Sequence, residues 1–396
     1  MRHSPILTAA VAQLRPPSPW LAFATVLFAH GLFILATGVR HGGDTLAYSL
    51  AADRLLDSGF DLPREVRENG TTYPPALYVL FASLVVGLKM MFGDGWEIAI
   101  VVINLIAEAA VGALLVRTLY RASGSVPAVW AGLALFLACF DLVQWTPYVL
   151  SDTSFLLMAF ATFALAADRI LAGRGSWFPV FALATAAAFY RPTGVVLILA
   201  AIWAYYLART RVGRGRSRAS LSAGVALVTV VGTLLFAWVM QDPARWPLEI
   251  LSGVIDETAS RYALGEVVMA RPETYRALPV SVADHAAISA DRFLHFFAIS
   301  ARDFSWAHIG LALLFFVPVY ALMVVLAVAL VTRKDGLTGP QRDVFFAAAA
   351  FVVATAVFHA LLQVDFDWRY RLPILPHLIL LAGGGVAVLS RRTAGR

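Results

Sequence analysis

The feature that most constrains this chain is a succession of long apolar runs separated by short, basic loops. The runs cover roughly 19–39, 97–120, 126–140, 153–168, 177–190, 194–208, 219–240, 308–332, 343–362 and 374–390. About 20 apolar residues in helical form cross the roughly 30 Å hydrocarbon core of a bilayer. No water is at hand there to satisfy backbone N–H and C=O groups, and a helix satisfies them internally. The runs therefore predict an all-α integral membrane protein, a polytopic helical bundle of about ten spans. Composition agrees, with 60% hydrophobic and 14% charged residues, where a soluble domain carries about 25% charged residues. No repeat, low-complexity tract or second domain breaks the pattern, so 1–396 reads as one transmembrane domain. The single cysteine, Cys139, lies in an apolar run, where it packs as a small side chain and has no partner for an intrachain disulfide.

A formal charge of +6 raises the question of nucleic acid, and the placement of the basic residues answers it. Arg117 and Arg121, Arg169 and Arg174, Arg209 to Arg218, Arg333 with Lys334 and Arg342, and the Arg391–Arg396 tail all flank apolar runs. That is a topology signal and no nucleic-acid partner is expected. One further apolar run, 76–92, decides the parity. If it does not cross fully, all these basic segments share a side with Arg2 and Arg15 at the N-terminus. If it crosses, the N-terminus disagrees with every one of them. The positive-inside rule favours the first arrangement, with 76–92 a juxtamembrane or half-inserted helix. The first outer loop is then 40–96 and a larger outer loop covers 241–307, with 141–152, 191–193 and 363–373 on the same outer side. The first run is long enough to span and has no small-residue cleavage site, so it is expected to stay in place.

The outer side collects the residues able to do chemistry. The stretch 41–75 is dense in charge, and Gly42-Gly43 lets the chain turn as it leaves the first span. Asp44 then opens a helical pattern in which Leu46, Leu50, Ala51 and Leu55 form an apolar face for the membrane surface, with Arg54 and Asp57 toward water. A carboxylate at this boundary is a candidate general base; as a plain alternative, Asp44 is the N-cap of that helix. Asp152, after Tyr148-Val-Leu-Ser151, offers a second outer carboxylate with the same capping alternative. Arg191, in Phe189-Tyr190-Arg191-Pro192-Thr193, stands between two short spans and needs an anionic partner, either a lipid phosphate or an internal aspartate. Asp365-Phe-Asp367-Trp-Arg369-Tyr-Arg371-Leu-Pro373 packs two acids, two arginines and two aromatics together. Arg369 and Arg371 suggest a phosphate clamp, with ion pairs to the neighbouring aspartates as the alternative. Four of the spans hold only about 14–16 apolar residues, which either leaves a water-filled cavity beneath these clusters or, as the plain alternative, reflects helices extended by their flanking polar turns. No tetrahedral metal spacing, Walker loop, dinucleotide fingerprint or serine-nucleophile motif is present, and His285, His295, His308, His359 and His377 read as scattered packing or surface residues.

Four segments in order, Gly43-Asp44-Thr-Leu-Ala-Tyr48, Thr72-Tyr73-Pro74-Pro75, Tyr148-Val-Leu-Ser-Asp152 and Arg369-Tyr370-Arg371-Leu-Pro373, together resemble the GT-C superfamily of integral membrane glycosyltransferases. The likeness is to the users of polyprenyl-phosphate sugars, the protein mannosyltransferases and aminoarabinose transferases among them. It spans nearly the whole chain, although the large C-terminal soluble domain of some relatives is missing. The resemblance implies a GT-C type bundle in the bacterial inner membrane, with its active site on the outer, periplasmic side. It implies a polyprenyl-phosphate-sugar donor, membrane lipids as surroundings, and a lipid, glycan or protein acceptor. Asp44 and Asp152 then correspond to catalytic acids. Arg191, Arg369, Arg371 and Tyr370 correspond to contacts with the donor's lipid phosphate, and Tyr48 and Tyr73 line the substrate cavity. No cofactor is required; a divalent cation, Mg or Mn, between acids and phosphate is an option the resemblance leaves open. The rival reading from another class is a lipid or polysaccharide transporter, flippase or polymerase of similar hydropathy, which would carry charges within its spans or show inverted repeats.

Overall fold

Local signals set where the helices begin and end. Helix α1 (Pro19–Thr37) starts with Ser18 accepting from the Leu21 N–H at 3.1 Å and Pro at the first helical position. After it come α2 (Thr45–Asp57), α3 (Pro75–Phe92), α4 (Trp96–Ser123) and α5 (Val126–Ala138), the last capped by Ser125. A helical turn at Phe140–Val143 leads to α6 (Asp152–Ala172), α7 (Phe178–Tyr190) and α8 (Val195–Thr210). The remainder is α9 (Val282–Phe296), α10 (Trp306–Thr332), α11 (Gly339–Leu361), a 3₁₀ segment at Trp368–Ile374 and α12 (Leu375–Ala394). This computed structural model describes residues 15–61, 75–210, 282–300, 304–361 and 368–394. Among them there is no strand, only a parallel bridge between Arg40 and Tyr148.

The protein is an all-α membrane protein: among the described residues, six helical stretches, including Val79–Ser123, Asp152–Ala172 and Trp306–Thr332, are long and apolar enough to cross a bilayer. The expected short spans 126–140, 177–190 and 194–208 are short helices here, too. The run 153–168 is not short. Asp168 would end an apolar run, but its carboxylate meets Arg117 at 2.6 Å and also Arg121, so α6 continues to Ala172. The run 219–240, most of the 241–307 loop and the 209–218 arginine cluster beyond Thr210 lie outside the described residues.

The bundle has two chemically distinct ends. At one, Trp130 Nε1 donates to the Arg15 carbonyl at 3.0 Å, Arg391 to the Asp335 carbonyl at 3.0 Å, and Arg342 Nε meets Asp335 at 3.0 Å. Most of the loop arginines gather there. At the other end, α1 leaves the bundle at His41 and α4 enters it at Glu97, and those two side chains face each other at 2.9 Å. The chain between them, α2 and α3 included, thus departs from and returns to one end. α3 is not a helix lying loose on a surface. Phe81, Val85 and Val86 are fully buried, Phe81 meets the Tyr48 ring edge-on at 4.7 Å, and Lys89 Nζ pairs with Asp53 at 2.6 Å. The face of α2 turned into the protein is Thr45, Tyr48, Ala52 and Leu55, while Leu46 and Leu50 are 68% and 48% exposed. The apolar face read from the sequence is therefore divided, with Leu55 packed inside and the two leucines left on the outer surface.

Among the described candidate spans α12 is the most enclosed, and its glycines make that possible. A Cβ on Gly385 would sit 2.1 Å from the Leu322 carbonyl oxygen of α10, so the two backbones touch only because no side chain intervenes. Gly385→Ala is expected to force α10 and α12 apart at a cost of about 1–3 kcal/mol, read as a lower thermal midpoint of the detergent-solubilised protein. Gly87→Ala, where a Cβ meets nothing within 4 Å, is the control expected to leave that midpoint unchanged or raised.

Candidate functional site

The end of the bundle opposite the loop arginines is built from four chain segments, each fixed locally before it meets the others. Asp44 stands at the start of α2, but its side chain makes no capping hydrogen bond. Thr45 does the local work, accepting from the Gly42 N–H at 2.9 Å and donating to the Val149 carbonyl at 3.0 Å. The Asp44 carboxylate is left to reach across the bundle, where Oδ2 lies 2.6 Å from Arg369 Nη2. The capping alternative is thus not the job this side chain does.

The second segment precedes α6. Arg40 and the 147–149 backbone exchange hydrogen bonds of 2.9 Å in both directions. From α4, Asn104 Nδ2 donates to the carbonyls of Tyr148 and Leu150 at 3.0 and 3.3 Å, and the Thr146 hydroxyl donates to Glu108. These anchors place Ser151 and Asp152 at the mouth of α6, again with no side-chain cap from Ser151. The third segment is the end of α7. A residue before proline is driven out of the helical region, and Arg191, before Pro192, is extended at φ −156°, ψ 141°. The turn back into α8 is so tight that a Cβ on Gly194 would lie 2.2 Å from the Ala187 carbonyl oxygen. Arg191 is thereby aimed inward, with Nη1 2.6 Å from Asp152 Oδ2 and donating to Ser151 Oγ at 3.2 Å. Of the two partners the sequence allowed it, an internal aspartate is present.

The fourth segment, the 3₁₀ turn after α11, joins the others. The Tyr370 ring lies between Arg191 and Arg369, whose guanidinium carbons are 5.8 and 5.5 Å from its centroid. His359 stacks on Tyr370 at 5.0 Å, and Phe296 of α9 lies on the His359 ring at 5.6 Å. Around the edge, Tyr48 Oη is 3.2 Å from Ser151 Oγ and Tyr190 Oη 2.6 Å from Ser154 Oγ. Asp44, Arg369, Tyr370, Arg191, Asp152, Ser151 and Tyr48 thus form one continuous chain of contacts. The Asp44 side chain is 21% exposed and that of Asp152 4%, so a solute can reach the first carboxylate and hardly the second.

The structure separates Arg369 from Arg371. A 3₁₀ helix has three residues per turn, so side chains two apart point in different directions. Arg371 turns away to a buried pair with Asp141, donates to the Ala298 carbonyl at 2.8 Å, and is stacked against Phe316 and Trp368. Neither arginine forms a two-pronged clamp with the other. His308 is 3.5 Å from Asp141 and stacks on Phe304 at 3.7 Å, so it is part of a network and not a scattered surface residue. Burial alone would raise the Asp141 carboxyl, but Arg371 and His308 outweigh it and hold it below the ordinary carboxylate range.

Sequence reasoning passed over Asp141, Ser151 as a hydrogen-bonding partner, His308 and Arg292, whose buried guanidinium donates to the His359 carbonyl at 3.0 Å. A signal for Asp141 exists: three arginines beside apolar spans call for acids, and Asp141, like Asp152, borders an apolar run on the outer side. Tyr73, Asp365 and Asp367 lie outside the described residues. Among the described residues, no three His, Cys, Asp or Glu side chains gather as a metal site. Asp44 and Asp152 are each already matched by a guanidinium, a donor set that does not suit a dication. Comparison with family models, with curated proteins and with solved structures finds no match to this chain.

Proposed function

We propose that this protein is a membrane glycosyltransferase of the GT-C kind. It would move a sugar from a polyprenyl-phosphate donor to an acceptor hydroxyl on a lipid, glycan or protein, at the outer face of a bacterial inner membrane. The observation that carries the reading is the meeting of one accessible carboxylate, Asp44, with two arginines and an aromatic ring at a single end of the bundle. In this reading the donor phosphate competes with Asp44 for Arg369, because a guanidinium binds phosphate through two parallel donors. Asp44, released from its partner, accepts the proton of the acceptor hydroxyl as that oxygen attacks the anomeric carbon. The bond from the anomeric carbon to the phosphate oxygen breaks, and its electron pair leaves on the phosphate beside Arg369. A single displacement inverts the anomeric centre. Arg191 and Asp152 hold the Tyr370 side of the site in place. The test is incubation of the purified protein with a panel of polyprenyl-phosphate sugars. Acceptor-dependent release of polyprenyl phosphate from one of them is expected, and release from none would remove the assignment.

One observation favours a transporter instead. His30 Nδ1 and Glu108 Oε2, in the middle of α1 and α4, face each other at 2.9 Å with both side chains buried, and ionisable groups at such depth are often proton carriers. Glu108 also holds Thr146, which gives it a structural task. Glu108→Gln keeps an oxygen for Thr146 and cannot carry a proton. The transferase reading predicts sugar transfer within about 3-fold of the parent, since a typical neutral hydrogen bond contributes only about 0.5–1.5 kcal/mol. A proton-coupled transporter would lose its transport in liposomes.

A further inference from the structure

Beside the carboxylate–arginine site is a separate cleft of about 280 Å³. Its walls are Phe33 and Thr37 of α1, Arg40, Phe140, and Gln144, Trp145 and Tyr148 of the segment before α6. Arg40 differs from Arg191, Arg369 and Arg371. Its side chain is exposed, and it has no ion-pair partner among the described residues. Its backbone is held by the Pro147 and Val149 hydrogen bonds, so the base of the side chain is fixed at the cleft mouth. Gln144 adds a polar amide, with its Nε2 donating to Asp141 at 3.1 Å.

We propose that this cleft holds the phosphate of an anionic membrane lipid, entering sideways along α1. Three features select that occupant. The arginine supplies charge and a fork of donors for a phosphate. Trp145 and Tyr148, with ring centroids 4.9 Å apart, are the amphipathic residues that sit at headgroup level in a bilayer. Phe33 continues directly into the flank of α1 where Ala29, Leu32 and Ala36 are exposed, so an acyl chain can follow the headgroup out of the cleft along a spanning helix. The inference goes beyond sugar transfer and stands whether or not a sugar is moved. Arg40 precedes Asp44 by four residues in the chain, and the cleft shares no lining residue with the carboxylate–arginine site.

The test uses the full-length protein in bilayers that contain a brominated lipid, which quenches tryptophan on contact. The chain has 10 tryptophans, so the cleft signal is the difference between the parent and Trp145→Phe. That difference is expected to be quenched by brominated phosphatidylglycerol with about 5-fold preference over brominated phosphatidylcholine, the value of one basic residue near an anionic surface. Arg40→Gln, whose backbone hydrogen bonds remain, is expected to abolish the preference, and Arg40→Lys to keep most of it. Helical content and thermal midpoint verify that each variant is folded. Equal quenching by both lipids, or no Trp145-dependent quenching, overturns the proposal. So does displacement of the lipid by millimolar glycerol phosphate, which would mean that the cleft takes a soluble phosphate.

Discussion

Asp44→Asn is expected to lower sugar transfer by about 10²–10⁴-fold, the usual contribution of a positioned general base, while leaving the protein folded. The structure sharpens this substitution in two ways. The Asp44 side chain caps nothing, so no helix start is lost with it. Its ion pair to Arg369 at 2.6 Å becomes a neutral-to-charged hydrogen bond that asparagine can still make through its amide oxygen, with a stability cost of about 1–3 kcal/mol at most. Donor binding should persist or tighten, since Arg369 no longer has to leave a carboxylate for the phosphate. The measurement is single-turnover transfer alongside equilibrium binding of the same polyprenyl-phosphate sugar. Transfer near the parent rate would take Asp44 out of the mechanism.

Arg191→Ala is expected to cost about 3–5 kcal/mol of stability, because it strands the buried Asp152 carboxylate without its counter-charge. Asp152→Leu alone should be comparably damaging for the mirror-image reason. Arg191→Met with Asp152→Leu, which replaces the pair by apolar side chains of similar size, should recover most of the loss. That recovery is a coupling energy, read from the four thermal or denaturant midpoints of a double-mutant cycle. Binding separates structure from function in the same proteins. If Arg191 also touches the donor phosphate, the recovered double variant stays defective in donor binding; a double variant that binds normally would show the arginine to be structural only. Arg191→Lys should fold, since it keeps a cation beside Asp152. Its donor binding should be intermediate, because it loses the second donor and the stacking on Tyr370.

The fold was legible where bilayer physics acts on single stretches of sequence. Among the described residues, apolar runs became helices within a few residues, and the end of α6 shows why some limits were missed. There a charge that reads as a stop, Asp168, is neutralised by two arginines a turn apart on α4, which no local window reveals. The site was legible in its members and not in its pairings. Asp44, Asp152, Arg191 and Arg369 could be picked out because charge beside an apolar span demands a partner. Which acid answers which arginine depends on how the ends of α1, α6, α7 and α11 are brought together, and that is a property of packing. Arg369 and Arg371 show the limit most clearly. Two residues apart in the sequence motif, they suggest a shared phosphate clamp or local pairs with Asp365 and Asp367, and the three-fold turn on which they lie directs them to different, distant acids.

The ion pairs of the bundle also differ in how far dissolved ions can reach them. The Arg117–Asp168 pair is open, its arginine side chain 41% exposed, whereas the Arg191–Asp152 pair is shut in at 5% and 4%. Mobile ions screen charges over about 8–10 Å at physiological ionic strength, and they do so only where they can enter. Raising the salt concentration therefore loosens the network of loop arginines and leaves the Arg191–Asp152 pair at full strength. Ionic strength is a reagent that sorts ion pairs by depth: the open His41–Glu97 pair weakens along with Arg117–Asp168, and the enclosed Arg191–Asp152 pair does not.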